Sequence, residues 1–265
     1  MKIRAISAFC RLVSITLLFT VVLATSAFAS KYDSSAQTLK DIGLFQGSDS
    51  GFDLDRAPTR TEAAVMLVRL LGAENVAKTQ YASGKITNPF TDVEDWAKPY
   101  VAWLYKYGFA KGVSDTTFGA TGQCTAKMYC TFVLRSLGYS DAEGGDFTFD
   151  EAEDAAEYLG LYDSDDVGDT FLRDDVVAIS YRALAANQNN SSICLLEKLI
   201  SDGAVSETSA SALLSKVLAY HDYCEAYYDY VSVSAVNTTT TRTLRLKNLY
   251  TSANYTYDEN IGESI

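Results

Sequence analysis

Apolar residues recur along this chain at helical spacing, in segments that resemble one another. In Thr59–Gly72, Met66, Leu67, Leu70 and Leu71 make an apolar stripe on one helix face. Thr59 is a suitable N-cap, and Glu62 three residues on completes a capping box. Pro58 sits just outside, and Gly72 can take the left-handed conformation that ends a helix. Thr125–Gly138 repeats the layout, with Arg135 in register with Arg69. Met128 replaces the box acid, so that cap is weaker. A third copy, Leu172–Ala185, keeps Arg182 in the same register and places Arg173 where the first copy has Arg60. It lacks the Thr and the Gly, but Asp174 and Asp175 suit the positive end of the helix dipole.

Each copy has a shorter helical partner upstream. Trp96, Tyr100, Trp103, Leu104 and Tyr107 recur on one face, with Pro99 in the first turn, where its missing N–H does little harm. Ser34–Gly43 and Ala155–Leu161 take this part in the other copies. Leu44-Phe45-Gln46-Gly47 matches Phe109-Ala110-Lys111-Gly112. The pattern predicts a mainly α chain of helix, glycine-containing loop, helix units. One such pair cannot bury its own apolar face, so the units should pack together. The copies fall at 30–80, 81–140 and 141–219. The last includes two closing helices, Leu195–Ile200 and Ala212–Leu218, either side of Gly203. From Tyr220 the composition turns rich in Tyr and Thr, and 220–265 reads as an extended or disordered tail.

The N-terminus changes the setting. Lys2, Arg4 and Arg11 precede an apolar run, Leu12 to Ala24, and Ala27-Phe28-Ala29 has the small-x-small form of a cleavage site. Residues 1–29 therefore read as a secretory signal peptide, with an apolar run too short to span a bilayer core of about 30 Å. No later stretch is apolar enough for a membrane span, so the protein is expected to be secreted. The chain is acidic, with 22 Lys+Arg against 34 Asp+Glu. That balance gives no general attraction for nucleic acid, and any anionic ligand must be held by a few local cations. Only 3 prolines and 16 glycines argue against a turn-rich β-sandwich. Cys124, Cys130, Cys194 and Cys224 follow the signal, and export permits disulfides without fixing their pairing. Cys130, inside an apolar stripe, reads as a buried thiol. His221 is the one histidine and lacks metal-ligand spacing, so neither a metal site nor a cofactor is expected.

Phe90-Thr91-Asp92-Val93, Trp96-Ala97, Pro99-Tyr100, Gly108 and Gly112 of the second copy, with Thr59-Arg60-Thr61-Glu62 of the first, resemble the S-layer homology domains of bacterial cell-surface proteins. The resemblance covers about residues 32–187. It implies three repeats in a pseudo-threefold helical spindle whose inter-repeat grooves bind a secondary polymer attached to peptidoglycan, often ending in a pyruvylated amino sugar. The ketal carboxylate would meet Arg60 and Arg173 on the first turns of their helices, where a guanidinium and backbone N–H groups together suit an anion. Trp96 would face a sugar ring, and Gly47 and Gly112 would let backbone approach the ligand. Ala126 stands where the second copy should carry its arginine, so its groove is expected to be degenerate.

Each residue has a plainer reading. Glu62 is a cap, Arg60 and Arg173 could be solvated surface arginines, and Trp96 and Trp103 could be core. Arg69, Arg135 and Arg182 could pair with acids across repeats. Asp163–Asp169 superficially suggests a calcium loop, but Val167 occupies a ligand position, and an acidic solvated loop is the simpler reading. Non-covalent anchoring to the cell wall is the leading function. A self-associating surface-layer subunit that uses the tail is the alternative. A wall-modifying enzyme ranks lower, because no Ser/His/Asp, Cys/His or metal constellation is visible.

Overall fold

Each of the three apolar stripes folds as an 11-residue helix, and each begins at the residue aligned with Arg60. The computed structural model describes residues 30–47 and 51–218, with the backbone of three short strands beyond them. In chain order the helices are α1 (Asp33–Asp41), α2 (Arg60–Leu70), α3 (Glu74–Ala82), α4 (Lys98–Lys106), α5 (Ala126–Ser136), α6 (Ala152–Tyr158), α7 (Arg173–Ala183) and α8 (Leu195–Ser201). A further helix, α9, spans 207–218. The chain is thus mainly helical. Residues 1–29, read above as a signal peptide, and His221 and Cys224 lie outside the described residues. So does the 220–265 tail, apart from strands β1 (Thr243–Lys247), β2 (Asn254–Asp258) and β3 (Glu263–Ser264), which pair antiparallel in that order.

The caps follow the local sequence. At α2, Thr59 Oγ1 accepts from Glu62 N at 3.1 Å, and Glu62 Oε2 accepts from Thr59 N at 2.8 Å. At α5 only the Thr half is present: Thr125 Oγ1 accepts from Met128 N at 3.3 Å. At α7 only the acid half is present: Asp175 Oδ2 accepts from Leu172 N at 2.6 Å. Gly72 and Gly138 end α2 and α5 with positive φ, and Gly43, Gly108 and Gly160 end the upstream helices in the same way.

The three long helices touch one another pairwise and form the centre of the core. Leu67, Phe132, Leu134 and Ile179 are buried there, and Tyr129 bonds Ser180 at 2.7 Å between α5 and α7. Each long helix also packs against the short helix of the next unit. α2 lies on α4, α5 on α6, and α7 on α1, which closes the cycle between the two ends of the helical region.

Two features depart from the sequence reading. α3 is a helix that no apolar stripe announces. It buries little besides Ala77 and lies along α4. The aromatic face of the second unit is also split. α4 starts at Lys98, so Trp96 sits in the turn before it and is 53% exposed, whereas Tyr100 and Leu104 are buried. The helical periodicity thus breaks one aromatic residue short of its upstream end, and Trp96 is not core.

Candidate functional site

The starts of the long helices are where the units meet. At α2, Arg60 N donates to Gly122 O at 2.8 Å and Thr61 N to Ala120 O at 3.3 Å, both in the loop before α5. At α7, Arg173 N donates to Arg56 O at 2.9 Å and Asp174 N to Leu54 O at 3.0 Å, in the loop before α2. The first-turn N–H groups, which a helix cannot satisfy internally, are thus used to hold one unit's loop against the next.

The Arg60 side chain is buried against that same loop. Its guanidinium lies 4.9 Å from the Phe118 ring centroid and 5.0 Å from that of Phe132. One terminal nitrogen donates to Lys111 O at 2.8 Å, and the buried Nε has no partner among the described residues. Arg173 is also buried. Its Nε donates to Phe52 O at 3.2 Å, and its guanidinium lies 6.0 Å from the Phe45 ring. Burial pulls both arginines' pKa values down from the usual value. Neither is a solvated surface arginine: they are 8% and 7% exposed.

Their partners set these two arginines apart. Arg56 pairs with Glu62, Arg69 with Glu74, Arg135 with Asp141, and Arg182 with Asp166. Among the described residues, Arg60 and Arg173 have no carboxylate partner and are held by carbonyls and aromatic faces. A buried cation without a counter-ion is costly, and an added anion would offset part of that cost.

Sequence reasoning passes over Asp92. Its carboxylate accepts from the backbone N–H groups of Phe118 at 2.8 Å, Gly119 at 2.8 Å and Ala120 at 2.9 Å. It therefore shapes the loop that covers Arg60. Burial would push its pKa up, but the three amides outweigh this and hold it below the ordinary value. The Phe-Thr-Asp-Val signature is visible in the sequence, but the loop it folds is far off along the chain.

The other predicted site residues are dispersed. Lys111, which precedes Gly112, supplies the carbonyl that Arg60 grips. A side chain on Gly112 would collide with Phe90 and with the Ser114 carbonyl, and one on Gly47 would collide with the Gly51 carbonyl. Both glycines are thus required by the tightness of their own loops. Trp96 donates to Glu94 and presents an exposed ring ahead of α4. Asp166, inside the calcium-like segment, is turned to Arg182 and to the Tyr32 hydroxyl at 2.7 Å. The pairs of Arg69 and Arg182 lie within their own copies. The link to the next unit comes from tyrosine: Tyr100 hydroxyl donates to Glu74 at 2.6 Å, and Tyr32 reaches Asp166. Cys124, Cys130 and Cys194 are buried free thiols.

Residues 89–125 match the model of the S-layer homology domain. That segment contains Asp92, α4 and the loop over Arg60. The "Middle cell wall protein" of Brevibacillus brevis is 30% identical over 134 residues, covering 48% of this chain and 12% of that protein. The "Surface layer protein" of Brevibacillus choshinensis is 30% identical over 116 residues, covering 43% of this chain and 10% of that protein. The "Cell surface protein" of Thermoanaerobacter kivui is 29% identical over 115 residues, covering 42% of this chain and 15% of that protein. The chain thus spans a small part of each of these relatives. No helix among the described residues is long and apolar enough to cross a membrane.

Proposed function

Taking residues 89–125 as an S-layer homology domain, we propose that this protein is a non-catalytic wall anchor, exported and held at the bacterial cell surface. It binds a secondary polymer attached to peptidoglycan through the seams at Arg60 and Arg173. The carrying observation is that, among the described residues, these two buried arginines have no carboxylate partner, whereas Arg56, Arg69, Arg135 and Arg182 each have one. A carboxylated sugar at the polymer's end would supply the missing charge, with bidentate geometry open to a guanidinium. Trp96, exposed ahead of α4, offers a ring face to the glycan. The closed cycle of helix contacts supports reading the helical region as a pseudo-threefold spindle of three repeats. The names of the relatives support the surface location.

A second reading, a subunit that self-associates into a surface layer, draws on the relative named a surface layer protein. Sedimentation velocity of the whole chain over a range of concentrations separates the two. A monomer at all concentrations that still binds purified sacculi supports the anchor. Assembly without binding to sacculi supports the subunit. The seams themselves are tested by sacculi binding of Arg60→Ala and Arg173→Ala variants, each expected to weaken it.

A further inference from the structure

The two arginine seams are assembled from different parts of the chain. The Arg60 seam is built within its middle, from Lys111, Phe118, Ala120, Gly122 and Phe132. The Arg173 seam instead joins the two ends of the helical region, and α1 reaches it at three points. Just before the helix, Tyr32 N donates to Asp174 Oδ1 at 3.2 Å. Asp174 follows Arg173, and its own N–H holds Leu54 O. In the last turn of α1, Lys40 Nζ lies 5.5 Å from the centroid of the Phe52 ring, and Phe52 O accepts from Arg173. Shortly after the helix, Phe45 packs on Phe52 with centroids 5.5 Å apart and faces the Arg173 guanidinium.

α1 itself buries little. It has 9 residues, of which Ser35, Ala36 and Leu39 are buried, and among the helices it packs chiefly on α7. Its start is fastened by a polar cluster. The Tyr32 hydroxyl donates to Asp166 Oδ2 at 2.7 Å and accepts from Arg182 at 3.2 Å, and Arg182 pairs with Asp166. The Tyr32 side chain is buried around these contacts. A terminal helix with few buried side chains opens at a lower free energy than a central core. We infer that α1 is a strap: its docking on α7 forms the Arg173 seam, and the seam opens when the strap lifts, while the Arg60 seam stays formed. Tyr32 is the clasp. The two arginine positions are then not equivalent, one permanent and one conditional. Taking Arg173 as an anion site, as proposed above, linkage runs both ways, and an anion held there keeps the strap down.

Four backbone amides report on the seams, Arg60 and Thr61 on one, Arg173 and Asp174 on the other. Residue-resolved hydrogen exchange by NMR on the whole chain reads them. Arg173 and Asp174 should exchange in step with Leu39 inside α1, and about tenfold or more faster than Arg60 and Thr61. Tyr32→Phe removes only a hydroxyl bonded to charged partners. It should speed Leu39, Arg173 and Asp174 together by about tenfold, with Arg60 and Thr61 unchanged. Equal protection of the two seams in the native chain, or exchange in α1 that Arg173 and Asp174 do not follow, would overturn the inference. So would indifference of these amides to Tyr32→Phe. Thermal melting checks that the variant folds, and the native chain alone decides the matter if it does not. Sacculi binding adds a second reading. Tyr32→Phe should weaken it further in an Arg60→Ala background and change nothing in an Arg173→Ala background. Equal weakening in both backgrounds would show general loosening and no strap. Exchange as expected, with sacculi binding unmoved by either arginine substitution, supports the strap and counts against the anion sites alone.

Discussion

Asp92 organises the loop over Arg60 by accepting three backbone N–H bonds. Asp92→Ala would leave those amides without their acceptor. Each buried unmade bond costs about 1–3 kcal/mol, so a clear fall in Tm is expected by thermal melting. An unchanged Tm would mean that the loop holds itself. The cysteines make a second residue-level case. Burial pushes the Cys124 thiol up to about 12 and the Cys194 thiol to about 11, and raises Cys130 further still. These three should resist a maleimide in the native protein at neutral pH and react once it is unfolded, as read by mass spectrometry. Rapid native labelling of any one would contradict its burial. At this scale the sequence is uneven. Cys130 sits inside an apolar stripe and is legible as buried. Arg60 stands out in the sequence as a candidate but not as a buried residue, because the rings that enclose it, Phe118 and Phe132, come from another unit.

The helices are joined at their ends by acids that each serve more than one element. Glu74 takes Arg69 at 2.9 Å, Lys78 at 2.6 Å and the Tyr100 hydroxyl at 2.6 Å. Asp141 takes Arg135, and Lys111 at 3.2 Å. Burial would push the Glu74 carboxyl up, but those three partners prevail and hold it at about 2. Arg135 does most to hold Asp141 at about 2. Both carboxyls are more acidic folded than unfolded. Their contribution to stability is therefore complete above about pH 5 and is lost as the pH falls toward 2. Melting temperature should stay level from neutral pH to about pH 5 and drop below it. Glu74→Gln with Asp141→Asn should lower the neutral value and flatten the acid drop. An acid drop of full size in that variant would place the linkage elsewhere. The long helices and their caps are plain in the sequence, since stripe, cap and glycine lie within a few residues of one another. α3 is not, because its packing against α4 leaves most of its surface polar.

At the scale of the molecule, the repeated stripes and the Thr59–Glu62 signature point by themselves to packed helical units. The order of contacts does not follow from them. That each long helix rests on the next unit's short helix, with α7 returning to α1, is a long-range arrangement that no local motif encodes. The seams differ in the residue at each helix start, Arg60, Ala126 or Arg173. Two are filled by arginines with no carboxylate partner among the described residues, and one is open at Ala126. The central claim is that those two arginines hold an anionic wall polymer. Cosedimentation with purified sacculi, before and after chemical removal of the secondary polymer, tests it most directly. The native chain should bind intact sacculi and lose binding when the polymer is removed. The Arg60→Ala, Arg173→Ala double variant, still folded by its melting curve, should bind at least about tenfold more weakly, the scale of a lost charge-assisted pair. Binding that survives polymer removal, or a folded double variant that binds as well as the native chain, would contradict the claim.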